Sequence, residues 1–443
     1  MALPSWDIAA PLGNIMSEAI ATLKKRWRVV SVGGKVRFLR VPDPANLSAY
    51  SPTLETMSKG EFELYHANRC VMVGETPKNP ASVFVDLAQR YSAIEFSPPP
   101  ENTAENGYNL YRGRQIQAVQ GDAKPLKEFI REVVCGGRTD LFDFVWLHMA
   151  HAVQRPGEKP QTAIVLRGKG GCGKRTVGII FERLAAPYSL PISEGEHVTG
   201  RFAGQHLSTA IVAVCTEALF AGDPKVNGKI KNLVTAESIL VEPKGLPPIN
   251  MPSYTRFIFD SNDERVVPID GNGSERRYLV MEISDAHKDD DAYFDKIYEE
   301  IEGNGLPALL WELENYRPED HGQKWSDLRT APDTPERRKM HWHTTSRVKR
   351  AMVRMIEDGG VTMKTESGQT FRYNFETGEP FRLPQSELRR FLRSSMNEYD
   401  AKDGDIPELM SELFGETVVG DEGQEYATCS KHRGSIECEE YSP

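Results

Sequence analysis

A cluster of glycines around one lysine constrains this chain more than any other feature. GKGGCGKRT runs from Gly168 to Thr176 and places Gly168, Gly170, Gly171 and Gly173 ahead of Lys174. It follows TAIVLR (162–167), an apolar run of the kind that forms a buried strand. It leads into 176–184, where Val177, Ile180, Phe181 and Leu184 recur at helical spacing. A strand, a glycine loop and a helix in that order make an anion cradle. Glycine lets backbone N–H groups turn inward, and the helix adds the positive end of its dipole. Lys174 then brings a point charge to the β- and γ-phosphates of a nucleotide. ATP is therefore expected here, held by Gly168, Gly170, Gly171, Cys172, Gly173, Lys174, Arg175 and Thr176. The bland alternative is a glycine-rich turn that binds nothing. One position departs from the pattern, which asks for a hydroxyl directly after the lysine to hold Mg2+. Arg175 stands there and Thr176 follows. Either Thr176 supplies the hydroxyl from a shifted register, or the magnesium is held less directly.

Three further apolar runs, TAIVAVC (209–215), TRFIFD (255–260) and RYLVMEI (277–283), alternate with helical patterns. That alternation predicts an α/β fold with a mostly parallel sheet. IVAVCTE ends in Glu217, placed to polarise the attacking water and, with Thr176, to complete the metal site. Many such enzymes put an aspartate just before that glutamate; this chain has Thr216, with Asp223 a weaker acidic candidate in the next loop. TRFIFDSN ends in Asn262, which can orient water near the γ-phosphate. GSERRYLV carries Arg276 and Arg277 at a strand start. These are surface charges, or in an oligomer one of them reaches the neighbouring subunit's γ-phosphate. Between Glu217 and Asn262, SILVE (238–242) and 249–256 flank PKGLPP, a hairpin with Lys244 and Gly245 at its tip. Lys225, Lys229 and Lys231 lie just upstream. A tip lysine projecting into a channel contacts nucleic-acid phosphates without reading sequence.

The flanks are plainer. RWRVVSVGGKVRFLR (26–40) predicts two strands joined at Gly33–Gly34. Residues 80–91 look helical, and FSPPPENTAENG (96–107) reads as a linker. In 140–153, Leu141, Phe144, Val145, His148, Met149 and Ala152 share a face, so an amphipathic helix is expected with His148 and His151 packed rather than catalytic. After 344 come a basic amphipathic helix, the strand FRYNF and the helix LPQSELRRFL, a set compatible with a winged-helix module or a packed terminal domain. The last 25 or so residues are acidic and polar, a mobile tail in this reading. The resulting division is an N-terminal α+β domain (1–107), a helical collar or linker (108–160), an ATPase domain (161–330) and a C-terminal α/β domain with the tail (331–443).

A formal charge of −10 argues against a protein coated with nucleic acid but is compatible with a narrow basic channel. No apolar stretch reaches the ~18 residues of a membrane span, and MALPSWDIAAPLGNI lacks the features of a secretory signal. The six cysteines are scattered, which fits a reducing cytoplasm rather than a disulfide framework. Cys429, His432 and Cys438 lack a second pair at zinc spacing, so no metal is expected there.

The stretch from Tyr108 to Pro318 resembles the helicase part of phage and plasmid primase-helicases, in superfamily 3 of the AAA+ ATPases. YNLYRGR (108–114), AHAVQRPGEKP (150–160), GKGGCGKRT, TEALFAGD (216–223), LVTAESILVEPKG (233–245), FDSND (259–263) and ERRYLV (275–280) carry the resemblance. Residues 26–96 also resemble the region preceding the helicase. The resemblance implies an AAA+ core binding ATP and Mg2+, and a hexameric ring moving 3′ to 5′ on single-stranded or forked DNA. It also implies that Lys244 contacts the DNA, and it favours Arg277 over Arg276 as the residue reaching the neighbouring site. The primase module is not found, so a replicative helicase of a phage or mobile element is expected, working with a separate primase or polymerase. Two rivals remain. One is a ring that binds ATP and DNA with impaired hydrolysis, motivated by Arg175 and Thr216; the other is an origin-binding initiator, motivated by 344–395.

Overall fold

The computed structural model describes residues 14–41, 56–100, 105–201, 203–216, 224–242, 247–263, 266–267, 269 and 275–344, with strands at 360–364, 370–374, 381–384, 417–419 and 425–429. The chain divides into two compact units, residues 1–267 with 276–332, and residues 268–275 with 333–443.

In the first unit, the helix Asn14–Arg26 runs directly into the strand Trp27–Val32, which pairs antiparallel with Lys35–Arg40. Val32 lies opposite Lys35, so the turn is Gly33–Gly34, both at positive φ as a tight two-residue hairpin requires. The inward faces of this hairpin and two short helices bury Trp27, Phe38, Phe62 and Phe84. Phe38 and Phe62 stack with ring centroids 4.4 Å apart.

The larger part of this unit is a five-stranded parallel sheet. Its strands are β1 (Ala163–Arg167), β2 (Ser189–Ile192), β3 (Val212–Thr216), β4 (Arg256–Ser261) and β5 (Tyr278–Glu282). Their order is β2-β3-β4-β1-β5, every pair parallel. The inner strands β3, β4 and β1 and the edge strand β5 were legible from their apolar continuity; the other edge strand β2, SLPI, has no such signature. The associated helices are α1 (Thr139–Gln154), α2 (Lys174–Ala185), α3 (Pro224–Thr235), α4 (Asp291–Glu302) and α5 (Gly305–Asn315). The expected amphipathic α1 is instead buried on nearly every side, Phe142, Trp146 and Leu147 included. Its neighbours cover the face that was assigned to solvent.

The stretch after α1 works as a structural clamp. Arg256 at the start of β4 is buried and donates to the carbonyls of Arg155 and Glu158, each at 2.7 Å, and meets His151 Nδ1 at 2.8 Å. His148 and His151 are buried, as expected of packed histidines. Lys159 donates to the carbonyls of Leu233 and Ala236 at 2.6 and 2.9 Å and to Ser253 Oγ at 3.0 Å. It thereby ties the end of α3 to the base of the hairpin. Burial, then the nearby Arg256, pushes the Lys159 ammonium down to about 7.

The strands Ser238–Val241 and Ile249–Pro252 form the antiparallel hairpin expected from SILVE and its partner. Its tip, with Lys244 and Gly245, lies outside the described residues. The second unit contributes a two-stranded antiparallel sheet (Gly360–Lys364 with Thr370–Asn374) and a three-stranded one (Phe381–Pro384, Glu425–Cys429, Thr417–Val419). FRYNF is thus a strand as expected, while most of the two flanking helices of the winged-helix reading and most of the acidic tail lie outside the described residues. Among the described residues, no helix is long and apolar enough to cross a membrane.

Candidate functional site

The glycine loop leaves the C-terminal end of β1 and α2 begins at Lys174. Gly173 sits at φ 98°, and a Cβ there would fall 2.7 Å from the Phe294 ring, so only glycine closes this turn under that ring. No side chain caps α2, which leaves its first N–H groups available to an anion.

Lys174 is buried to 9% exposure. Its ammonium donates to the carbonyls of Gly168 and Lys169, both at 2.6 Å, and to Asn262 Oδ1 at 2.7 Å. Two residues 88 apart in sequence therefore meet at the mouth of the loop. They border a cavity of about 620 Å³. Gly170, Gly171, Gly173, Arg175 and Thr176 line it from the loop and helix; Asp260, Ser261 and Asn262 line it from the end of β4. The remaining wall is Asp289, Asp291, Phe294 and Tyr298, from the segment that follows β5.

Three side chains of the loop and helix start are engaged within the protein. The Cys172 side chain is buried, its Sγ 3.0 Å from the Lys169 carbonyl, so it braces the loop and offers a ligand only its backbone. Arg175 turns away along α2 and forms a two-pronged ion pair with Glu182, at 2.7 and 2.9 Å. That hydrogen-bonded carboxylate, and more remotely Asp260, raise the guanidinium pKa. The Thr176 hydroxyl is buried and lies 3.3 Å from the Tyr298 hydroxyl.

Arg276 is exposed and Arg277 half-buried at the start of β5. The Arg277 carbonyl accepts from Ala163 N–H, the first residue of β1. The glycine loop leaves the other end of β1, so the arginines and the cavity of one chain are separated by the length of a strand, roughly 16 Å at ~3.3 Å per residue. Lys229 is exposed and donates to the Thr199 carbonyl at 2.8 Å; Lys231, half-buried, is also engaged by a neighbour. Glu217 and Asp223 lie outside the described residues, as Lys244 does.

Two contributions escaped the sequence reading. Asp260 lies in FDSND near the end of β4, two residues before Asn262, which follows the strand, and both line the cavity. The acidic and aromatic segment after β5 carries no motif at all. It is held to the loop by the Lys169–Asp285 ion pair at 2.6 Å and by the Asp289 N–H donating to the Gly171 carbonyl at 3.2 Å. The Lys169 ammonium in turn holds the Asp285 carboxyl below its ordinary range.

Among the described residues, no group of three His, Cys, Asp or Glu side chains could hold a metal. The cavity does offer hard oxygen donors, Asp260 and the Thr176 hydroxyl. These fit Mg2+, which takes one or two carboxylates and completes its octahedron with phosphate oxygens and water.

Comparison with known proteins places this site in a recurring context. A family of unknown function, DUF5906, matches residues 166–277, the span from the end of β1 to Arg277. Over 253 residues, 53% of this chain, the sequence is 24% identical to a DNA primase-polymerase of Nitratiruptor phage NrS-1. The match takes in 32% of that relative, about a third of its length. Two solved apo structures of the NrS-1 C-terminal region superimpose with TM-scores of 0.61 and 0.62 at 14% and 15% identity. Each comparison covers 94% of this chain and at least 98% of the other. The chain therefore shares its fold with the C-terminal region of a phage protein and is similar to part of that protein in sequence.

Proposed function

We propose that the cavity binds ATP and that its hydrolysis drives a ring-forming helicase along single-stranded DNA during phage replication. The Lys174–Asn262 contact carries this reading. It joins the loop lysine to a polar strand end within one cavity, where a γ-phosphate would need both. The position supports it as well, since open parallel sheets take ligands off the carboxyl ends of their strands. The similarity to a phage DNA primase-polymerase supports the setting in DNA replication.

In this reading the loop N–H groups and Lys174 hold the β- and γ-phosphates, Asn262 orients the attacking water and Glu217 accepts its proton. Mg2+, when bound, neutralises phosphate charge. Arg277 cannot serve its own cavity from the far end of β5, so it acts on a neighbouring subunit's, which requires an oligomer, a hexamer by the family resemblance. Lys244, at the hairpin tip, contacts the DNA backbone. Lys174→Ala is expected to abolish ATP hydrolysis and strand separation; a variant that still unwinds forked DNA normally refutes the assignment. Lys244→Ala is expected to weaken single-stranded DNA binding, and equal affinity refutes the hairpin role.

A second reading is a ring that binds ATP and DNA but hydrolyses poorly. The observation favouring it is that the residue after the loop lysine is an arginine tied to Glu182 rather than a hydroxyl facing the phosphates. Magnesium-dependent phosphate release in the presence of single-stranded DNA separates the two, and its absence favours the binding ring.

A further inference from the structure

The motif departs from a magnesium site twice, at Arg175 and at Thr216, and the sheet register answers both departures. Val214 on β3 packs against α2 so closely that a Cβ on Gly178 would meet its Cγ1 at 2.8 Å. Val214 therefore faces α2. Alternate residues of a strand share a face, so Thr216 points to the same side. Thr216 is paired with Asp260 across the parallel β3–β4 ladder, and register partners point the same way. Asp260 thus stands one strand closer to the glycine loop than Thr216, because β4 lies between β3 and β1. It is 8% exposed and lines the cavity with Lys174 and Thr176.

We infer that Asp260 is the carboxylate that holds the nucleotide's divalent cation, replacing a residue at position 216, with Glu182 holding Arg175 out of the way. This rests on the nucleotide reading of the cavity. One carboxylate suffices for a Mg2+ ion whose other ligands are phosphate oxygens and water. Arg175 would compete for Asp260 if free. Instead Glu182, two helical turns along α2, takes its guanidinium in two hydrogen bonds. Gly178 makes room for this path: a Cβ there would lie 3.3 Å from Arg175 Nη1.

The test measures affinity of the full chain for a fluorescent ATP analogue in Mg2+ and in EDTA. For the wild type, Mg2+ is expected to tighten binding by about tenfold or more, equivalent to ~1.4 kcal/mol. Asp260→Asn should erase most of that gain while keeping the EDTA affinity within about threefold. Adding Thr216→Asp to Asp260→Asn should restore the gain, because the new carboxylate enters on the same face. Glu182→Gln should also shrink the gain, by releasing Arg175 toward Asp260, and it decides the matter should Asp260→Asn fail to fold. Full magnesium dependence in Asp260→Asn, or in Glu182→Gln when the other does not fold, overturns the assignment. Loss of binding in EDTA as well as Mg2+ by a folded Asp260→Asn overturns it too, since a metal ligand is silent without metal. A wild type that binds the analogue equally in Mg2+ and EDTA overturns the metal role and leaves the nucleotide site standing. A wild type that binds it in neither removes the nucleotide reading, and the metal role falls with it.

Discussion

Gly173 shows how little freedom single positions around the loop have. Its φ of 98° is unfavourable for any L side chain, and Phe294 occupies the space a Cβ would need. Gly173→Ala is expected to cost about 2–4 kcal/mol from backbone strain and overpacking together. It should also weaken nucleotide binding, because the first turn of α2 must shift. Gly170 has nothing within 4 Å of a Cβ, so Gly170→Ala is expected to change stability by less than about 1 kcal/mol. Chemical denaturation of both variants checks this; similar losses would refute the packing argument. The sequence shows these glycines as a motif, but it does not distinguish the two, because only Gly173 has an aromatic ring from a residue 121 positions away above it.

At the scale of elements, the contact between α1 and the start of β4 makes stability depend on pH. His148 is pushed down to about 3 by burial, then by Arg256, and only partly helped by its contact with the Thr162 carbonyl. Burial and then Arg256 also lower His151. In the unfolded chain a histidine titrates at about 6.5. The unfolded state therefore takes up the proton first as pH falls. The stability these neutral rings contribute is complete above about 6.5 and is lost progressively toward 3 for His148. Urea midpoints at about pH 7.5 and about pH 5 should differ, and His148→Gln should reduce the difference if it folds. A midpoint independent of pH in the wild type would remove the argument. Helical spacing was enough to locate α1 and to read its histidines as packed. It could not show that the polar side is also covered, because which elements surround a helix is decided by residues far along the chain.

At the scale of the whole molecule, the separation of Arg277 from its own cavity bears on the proposed oligomer. If each cavity is completed by a neighbour, Arg277→Ala should lower ATP turnover by about 10³ or more, the scale of an arginine finger. Mixing it with Lys174→Ala should recover part of the turnover, because an intact cavity of one variant can then meet an intact arginine of the other. No recovery in mixed oligomers, where each variant alone is inactive, would sink the shared-site model.

Short-range chemistry was written in the chain itself: the glycine loop, the inner strands of the sheet, the Gly33–Gly34 turn and the polar end of β4. Such features depend on backbone geometry and apolar periodicity within about ten residues, which a linear reading captures. What only the tertiary structure decided is which side chains share the cavity. Asp260, the register partner of Thr216, lines the cavity, Arg175 is paired with Glu182, and an acidic segment without a motif forms one wall. These outcomes depend on strand order and register between non-consecutive strands. Period-2 alternation sorts residues to faces, but it does not say which strands become neighbours.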